Sequence, residues 1–350
     1  MNTISDAPDD DSATRRRPPS VKDVARLAGV SIATVSRALS RPEMVRSDKL
    51  LAVKEAVQQL NYVAHGAGRA LSSGRTQTIG AILPTLNHAI FANTAFALQK
   101  RLARDGYLLL VSCNEYDGNA ERETVRRLIE RGVEGVVLLG RVHEPDVLAL
   151  LENLQIPYVL TWALDPATRA PCIGFDNRKA VALIVDHLVK LGHRQFGAIV
   201  GPNESEWQRE RASFIRAEIK QRSTHIAPTH IVSGPLDYDT GQRGMQKLMQ
   251  NPNPPTAVIC GHDIIAVGAL TACHKLGVSV PGQVSVTGFE DLEITQHLQP
   301  ALTTVHFPAD ELGGVAGNYM LQMVAGDAPA PYFELPIELR VRETTAPPRS

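Results

Sequence analysis

Apolar positions in the first sixty residues recur at helical spacing in three short stretches. The apolar faces of these stretches are formed, in order, by Val21, Val24, Ala25 and Ala28; by Val35 and Leu39; and by Leu50, Val53, Val57 and Leu60. Ser20 and Ser31 stand at the N-cap positions of the first two helices, and Gly29 favours the end of the first. Two short helices joined by a glycine turn and supported by a third predict a helix-turn-helix headpiece.

After Gln77 the pattern changes to short apolar runs that alternate with amphipathic stretches. The runs TIGAIL, YLLLVSC, EGVVLL, PYVLT, QFGAIV, TAVIC and VSVTG predict strands, and segments such as ETVRRLIERG and KAVALIVDHLVKLGH predict helices. Apolar strands separated by helices are typical of parallel sheets covered on both faces, and there are enough units for two sheets. The sequence therefore predicts an all-α headpiece followed by an α/β core whose ligands bind beyond the carboxyl ends of the strands.

The charges are distributed unevenly along the 350 residues, although the formal net charge is only −1. Residues 15–75 carry twelve lysines and arginines against four acidic residues, a surplus of +8. Residues 1–14 carry four aspartates and no cation, and the rest of the chain has 24 cations against 29 anions. A basic module on a mildly acidic body favours a polyanion such as DNA as the partner of the first segment; the alternative is a solvated charged face.

Composition and motifs disfavour several classes of protein. The four cysteines, Cys113, Cys172, Cys260 and Cys273, form no CxxC pair, which argues against a zinc site and suits a reducing cytoplasm. No apolar run approaches the roughly 20 residues of a membrane span, and residues 1–19 have the composition of a disordered tail rather than a signal peptide. The chain has no GxSxG, Walker, HExxH or strand-linked GxGxxG motif. We therefore expect a cytoplasmic protein that is not an enzyme, uses no metal or cofactor and has no membrane partner.

The segments VKDVARLAGVSIATVSRALS and NYVAHGAGRALSSGRTQTIGAIL resemble the beginning of a LacI/GalR-family regulator. The resemblance continues through IGFDNRKAVALIVDHLVKLGHRQFGAI, HDIIAVGALTACHKLGVSVPGQVSVTGFEDLE and PALTTVHFP, and it covers about residues 20–345. It implies a DNA-binding repressor whose core has two parallel-sheet lobes of the periplasmic-binding-protein-like type. It also implies at least a homodimer, which binds a pseudo-palindromic operator in double-stranded DNA.

The resemblance also implies domain boundaries. Residues 1–19 would form the tail, 20–63 the helix-turn-helix domain, 64–75 the hinge and 76–350 the effector-binding and dimerisation core. Within the core, the N-lobe would comprise about residues 76–175 and 306–335, and the C-lobe about residues 176–305 and 336–345.

By the same resemblance, the start of the second helix contacts DNA. The contact set is Ser31, Ile32, Ala33, Thr34, Ser36 and Arg37. Ile32 and Ala33 offer only apolar contact to bases, so Arg37 carries the polar readout of a guanine or a phosphate. Thr34 and Ser36 would meet backbone phosphates instead.

The hinge of the family forms a helix on DNA and inserts a leucine into the minor groove. The matching residue here is Leu71, with Arg69 beside it to meet a phosphate. This sequence departs from the family pattern at Gly66 and Gly68, each of which costs about 1 kcal/mol of helix stability relative to alanine. Free of DNA, the segment is expected to be a flexible linker, and a linker with no role in DNA binding is the alternative.

Residues that follow the predicted strands are candidate effector contacts. They are Asn87, Phe91, Arg141, Trp162, Asp176, His262, Asp263 and Glu290. The position where the family usually has a cleft arginine is Glu210 in this chain, so either Arg209 or Arg211 would supply the guanidinium. Aspartates such as Asp176 and Asp263 often only cap helices, and a histidine such as His262 is often a structural group.

The effector itself is less constrained. Arg141, His143 and the loop PTLNHAIF most resemble the gluconate-type repressors of the family, which favours a sugar acid. A neutral sugar or a nucleobase stacked on Trp162 is open as well, as is a solute-binding core without a regulatory role on DNA. Effector binding would change the angle between the lobes and shift DNA affinity by typically about 1–3 kcal/mol, with a sign that the sequence does not determine.

Overall fold

The computed structural model describes residues 17–63, 75–115, 117–162, 164, 170–202, 206–222 and 225–349. The chain divides into two compact units, Met1–Thr76 and Gln77–Ser350. The predicted hinge contacts Arg69 and Leu71 lie outside the described residues. Within the described residues, no helix has the length and the apolar character that crossing a membrane requires.

The described part of the first unit folds as three α-helices around a small apolar core. They are α1 (Val21–Leu27), α2 (Ile32–Ser40) and α3 (Ser47–Gln59), with a short 3-10 helix at Pro42–Met44. Ser20 caps α1 by donating its backbone N–H and its hydroxyl to the carboxylate of Asp23. Gly29 adopts a φ of +64° between α1 and α2, a conformation that glycine reaches at low cost. The helices are held together by a buried core of Val24, Ala25, Val35, Ala38, Val53 and Ala56. Val24, Ala25, Val35 and Val53 were predicted to face inward, whereas Ala38 and Ala56 were not, and the other predicted positions pack partly buried against this core.

The second unit alternates strands and helices. Its strands are β1 (Thr78–Leu83), β2 (Leu108–Cys113), β3 (Gly135–Leu139), β4 (Tyr158–Thr161), β5 (Cys172–Gly174), β6 (Gln195–Val200), β7 (His225–Ser233), β8 (Ala257–Cys260), β9 (Ser285–Glu290), β10 (Thr303–His306), β11 (Tyr332–Glu334) and β12 (Glu338–Arg340). Its α-helices are α4 (Ala89–Ala103), α5 (Gly118–Glu130), α6 (Pro145–Asn153), α7 (Asn177–Lys190), α8 (Glu206–Gln221), α9 (Tyr238–Met249), α10 (Asp263–Leu276) and α11 (Ala309–Ala325). A 3-10 helix lies at Glu293–His297.

The strands form two six-stranded sheets, one in each lobe. The N-lobe sheet has the order β11-β5-β4-β3-β1-β2, and the C-lobe sheet has the order β12-β10-β9-β8-β6-β7. Every neighbouring pair is parallel except β10 with β12. The chain passes between the sheets after β5, after β10 and after β11, so three connections join the lobes. The predicted α/β core with two parallel-sheet lobes is confirmed.

All seven predicted strands are present, with bounds shifted by at most two residues. The strands that the sequence did not reveal are β5, β10, β11 and β12, which have three or four residues and show no usable periodicity, and β7. β7 contains Pro228, whose missing N–H is tolerated because β7 is an edge strand.

Helices α9 and α10 pack with their backbones unusually close. A Cβ atom on Gly241 would lie 2.0 Å from the carbonyl oxygen of Ile265, and one on Gly268 would lie 2.1 Å from that of Tyr238. Only glycine permits this approach without displacing backbone. The contact fixes α10, and with it the residues at the amino end of that helix, where β8 leads into the space between the lobes.

Candidate functional site

The surface of α2 carries the predicted DNA contacts. Ser31, Ile32, Ala33 and Arg37 are exposed, and Thr34 and Ser36 are partly buried. Ser31 Oγ accepts a hydrogen bond from the backbone N–H of Thr34 at 3.1 Å, which orients the first turn. Ile32 is 45% exposed. No ion pair holds Arg37 within the described residues, so its guanidinium is available to a polyanion.

A cavity of about 380 Å³ lies between the lobes of the second unit. We call it the interlobe cavity; it is lined by Phe91, Arg141, Trp162, Leu164, Phe175, Asp176, Asn177, Arg178, Lys179, Trp207, Gln208, Glu210, Arg211, Phe214, His262 and Glu334. The N-lobe contributes residues that follow its strands, together with Phe91 of α4 and Glu334 of β11. The C-lobe contributes the first turn of α7, one face of α8 and His262 after β8. This is where a parallel sheet places a ligand, because the turns after the strands meet at one edge.

Arg211 is the buried cation of the interlobe cavity. Its side chain donates from Nε to Asn177 Oδ1 at 3.1 Å and from Nη1 to the carbonyl oxygen of Gly261. The guanidinium carbon also lies 3.5 Å from the centre of the Phe289 ring, a cation–π contact. Burial lowers the pKa of Arg211 to about 10, so the group is positively charged at neutral pH.

His262 and two neighbours form a buried polar chain. Gln208 Nε2 lies 2.6 Å from His262 Nε2, so the amide donates to that ring nitrogen and the ring proton sits on Nδ1. His262 Nδ1 in turn contacts the carboxyl group of Glu290. Burial, together with the charge of Arg211, holds the pKa of His262 well below its usual value, so the imidazole is neutral. Burial raises the pKa of Glu290 to about 8, although Arg211 acts in the opposite direction.

The hydrogen bonds of Asp263 are structural. It is fully buried and accepts hydrogen bonds from Thr304 Oγ1 at 2.7 Å and from the backbone N–H of Leu292 at 2.8 Å. These bonds tie the start of α10 to the segments around β9 and β10. Burial and the charge of Glu290 raise its pKa to about 7 despite both hydrogen bonds.

Trp162 belongs to a cluster of aromatic rings. Its ring centre lies 4.7 Å from that of Phe307, 5.2 Å from Phe91 and 6.5 Å from both Phe175 and Trp207. Its φ of +61° is uncommon for an aromatic residue, and its buried Nε1 has no hydrogen-bond partner. The neighbouring rings cover Trp162, which is only 9% exposed and so is not the open platform that the sequence predicted; Trp207 in the same lining is half-buried.

Two ion pairs join the lobes beside the interlobe cavity. Arg141 of the N-lobe pairs with Glu210 of α8, and Lys179 of α7 pairs with Glu334 of β11 at 2.7 Å. The four side chains all line the cavity and retain contact with solvent. Exposed pairs contribute little stability, so these two are weak contacts between the lobes.

Six of the ten residues predicted from the sequence line the interlobe cavity: Phe91, Arg141, Trp162, Asp176, Arg211 and His262. Asp176 also caps α7, where its carboxylate accepts from the backbone N–H groups of Arg178 and Lys179. The other four are placed elsewhere: Asn87 is exposed, Asp263 and Glu290 are buried behind the lining, and Arg209 lines a neighbouring cavity. Of the two arginines left open by the sequence, Arg211 is therefore the one that reaches the interlobe cavity.

Several lining residues were not predicted, among them Phe175, Trp207, Gln208 and Glu334. Trp207 and Gln208 lie on the first turn of α8, whose start no cap or strand end in the sequence indicates. A signal was nevertheless present, because Trp207, Gln208 and Phe214 stand four, three and three residues from Arg211 and so share its helix face.

Comparison with known proteins is consistent over most of the chain. Residues 20–65 match the family described as "Bacterial regulatory proteins, lacI family", and residues 185–345 match the "Periplasmic binding protein-like domain". The chain is 30% identical over 306 residues to the HTH-type transcriptional repressor CytR of Escherichia coli K12, an alignment that covers 87% of this chain and 90% of that protein.

Solved structures agree with this result. The Lac repressor dimer bound to operator and the anti-inducer ONPF matches with a TM-score of 0.86 and 26% identity, over 94% of this chain and 100% of that one. The transcription regulator GntR from Chromobacterium violaceum matches with a TM-score of 0.73 and 26% identity, over 77% of this chain and 99% of that one.

A helix-turn-helix unit followed by a two-lobed core with an internal cavity defines a DNA-binding transcription regulator with an effector-binding core. The chain belongs to the LacI family of bacterial regulatory proteins, and the resemblance seen in the sequence is confirmed.

The buried carboxyl groups predict how stability depends on pH. The folded chain keeps protons on Glu290 and Asp263 up to about pH 8 and about pH 7, whereas the unfolded chain loses them near their ordinary pKa values of 4.5 and 3.8. These two groups are therefore expected to make the free energy of unfolding fall as the pH rises through that window. Urea unfolding at a series of pH values should show a shallower slope in Glu290→Gln. The exposed control Glu293→Gln should keep the wild-type slope, and an unchanged slope in Glu290→Gln would contradict the assignment.

Proposed function

We propose that the chain is a repressor whose operator affinity is set by a small acidic molecule bound in the interlobe cavity. The observation that carries this proposal is the buried guanidinium of Arg211. The protein uses its Nε and Nη1 for neutral acceptors, Asn177 and Gly261, and thereby fixes the plane of the group. A guanidinium held in this way is suited to bind a carboxylate or a phosphate.

The charges around Arg211 support an anionic effector. His262 is neutral at pH 7, and Glu290, with a pKa of about 8, is mostly protonated. Arg141, Arg178 and Lys179 are each paired with a glutamate. The cation without a directly bound carboxylate among these lining residues is Arg211, so the interior of the cavity favours a negative group.

A sugar acid is the first candidate for this effector. The acid would bind Arg211 rather than Arg141, to which the sequence had assigned it, because Glu210 already neutralises Arg141. The second candidate is a nucleobase or nucleoside, which the aromatic lining favours. Phe91, Phe175, Trp207 and Phe214 all border the cavity, and aromatic side chains bind the faces of planar rings.

A ligand screen with an arginine variant distinguishes the two candidates. Sugar acids, neutral sugars, nucleosides and nucleobases are added to the purified chain, and the thermal midpoint is recorded. A true effector at about 100 times its Kd stabilises the fold by about 2.7 kcal/mol. We expect a sugar acid to do so, and Arg211→Gln to weaken its binding at least about tenfold because a charge-assisted hydrogen bond is lost.

The matched control is Arg243→Gln, an exposed arginine of α9 that lies outside the cavity lining. It should bind the sugar acid as the wild type does. Stabilisation by nucleosides alone, unchanged in Arg211→Gln, would refute the acidic effector and favour the second candidate.

The DNA-binding surface makes a separate prediction. Because Arg37 is the exposed cation on the outward face of α2, Arg37→Ala is expected to remove the preference for operator over random duplex, a loss of about 1–3 kcal/mol. The control Lys54→Ala removes an exposed cation of α3 and should preserve that preference. Competition binding at fixed salt measures both, and full selectivity in Arg37→Ala would disprove the assignment.

We further propose that two chains pair along the open edge of the N-lobe sheet. β2 is an edge strand, and Leu108 and Leu110 on it are 70% and 38% exposed. Phe96, on the adjacent α4, is 67% exposed. Such apolar residues on an unpaired edge are typical of a protein–protein contact. A dimer would present two headpieces to a pseudo-palindromic operator.

Sedimentation equilibrium tests this pairing. Leu110→Lys places a charge on the edge and is expected to raise the dimer dissociation constant at least about tenfold. Leu154→Lys, at an exposed leucine just after α6, should leave it unchanged. A dimer of wild-type strength in Leu110→Lys would place the interface elsewhere.

A further inference from the structure

The loop between β3 and α6 contains a buried histidine that the proposed effector site does not use. His143 lies in this loop, two residues after Arg141, and its side chain is only 1% exposed. It borders a second cavity of about 230 Å³, the loop cavity, which also has Glu121, Arg209 and Trp207 in its lining. Trp207 lines both the loop cavity and the interlobe cavity, so it separates the two.

Both ring nitrogens of His143 face oxygen atoms that accept hydrogen bonds. Nδ1 lies 3.0 Å and 3.2 Å from the two carboxylate oxygens of Glu121, and Nε2 lies 3.1 Å from the carbonyl oxygen of Gly140. A neutral imidazole has one N–H and can donate to only one of these groups. The arrangement therefore requires one additional proton between His143 and Glu121, and we place it on the imidazole because Nδ1 faces both carboxylate oxygens, which an N–H at that position can serve.

Loss of that proton would break a specific contact. Once His143 is neutral, one ring nitrogen presents a lone pair to an acceptor oxygen, either the carboxylate of Glu121 or the carbonyl of Gly140. The first contact anchors the loop to α5, and the second closes the loop on itself. The two acceptors, on Glu121 and Gly140, belong to buried residues, so water does not replace the lost hydrogen bond without opening the loop.

The loop carries Arg141, which reaches across the lobes to Glu210. We propose that His143 is a proton-dependent positioning residue of the effector site. In its protonated form it holds residues 140–143 against α5 and thereby presents Arg141 to Glu210. This inference rests on the proposed role of the interlobe cavity, because the Arg141–Glu210 pair stands beside that cavity.

Other charged groups act on the same proton. Glu121 of α5 contacts His143 directly, and Glu144 is the residue after His143 in the chain. From α8, Arg209 lines the loop cavity, while Asn114 at the end of β2 is polar but uncharged. The two acidic groups favour the protonated imidazole and the arginine opposes it.

Two readouts on the full-length, ligand-free chain test the proposal. The first is the ¹⁵N spectrum of histidine-labelled protein from about pH 5 to about pH 9, in which His143→Gln identifies the signal. We expect a histidine with both ring nitrogens protonated at neutral pH. Glu121→Gln should move its titration to lower pH by about one unit or more, because an opposite charge is removed.

The second readout is tryptophan emission. The chain has two tryptophans, Trp162 and Trp207, and both line the interlobe cavity. Emission should change at the pH where His143 titrates, and this step should be absent from His143→Gln. Steps that belong to Glu290 and Asp263 should persist in that variant, which separates them from the loop. Arg141→Gln should lose the emission step of His143 while its ¹⁵N titration persists.

His274→Gln, an exposed histidine of α10, is the control and should retain both steps. A His143 with one protonated ring nitrogen across the whole range would overturn the proposal. So would an emission step that is unchanged in His143→Gln. Neither readout involves an effector, so these results are independent of whether a sugar acid binds the interlobe cavity.

Discussion

The effector-binding core depends on a positively charged side chain, Arg211, that is buried away from water. Arg211 is buried, and the C-lobe supports it with the amide of Asn177, the carbonyl of Gly261 and the ring of Phe289. These partners come from α7, from the turn after β8 and from β9, so a single side chain fixes three segments that meet at the cavity. Burial and this charge together keep His262 neutral. The groups that contact Arg211 are uncharged, so its positive charge stays available to a ligand.

The N-lobe wall of the interlobe cavity differs in chemistry from the C-lobe wall. The N-lobe contributes aromatic rings and one loop, and its cation Arg141 is shared with Glu210 of the C-lobe. The C-lobe thus contributes a buried cation, and the contacts across the cleft include two solvated ion pairs as well as the rings of Trp162 and Trp207. Because exposed pairs are weak, a ligand that bridges the lobes competes with them at little cost.

Local patterns in the sequence predicted much of this architecture. The serine caps and the glycine turn predicted the headpiece, and continuous apolar runs predicted seven strands within two residues. The site was harder to predict because it depends on rotation about a helix axis. Arg209 and Arg211 are two residues apart, which at 3.6 residues per turn places them about 200° apart around α8. The sequence therefore left two arginines open, and it missed Trp207 and Gln208, which share the face of Arg211. Nor could it show that Trp162 is covered by rings from distant segments.

The headpiece is closed by its own apolar residues, with Val24, Val35 and Val53 buried among its three helices. The side chains of α2 that face outward take no part in that core. The candidate DNA contacts and the interlobe cavity of this regulator therefore lie in separate structural units. On the proposed assignment, exchanging the outward residues of α2 would direct the chain to a new operator, while the chemical input of the second unit would be unaltered.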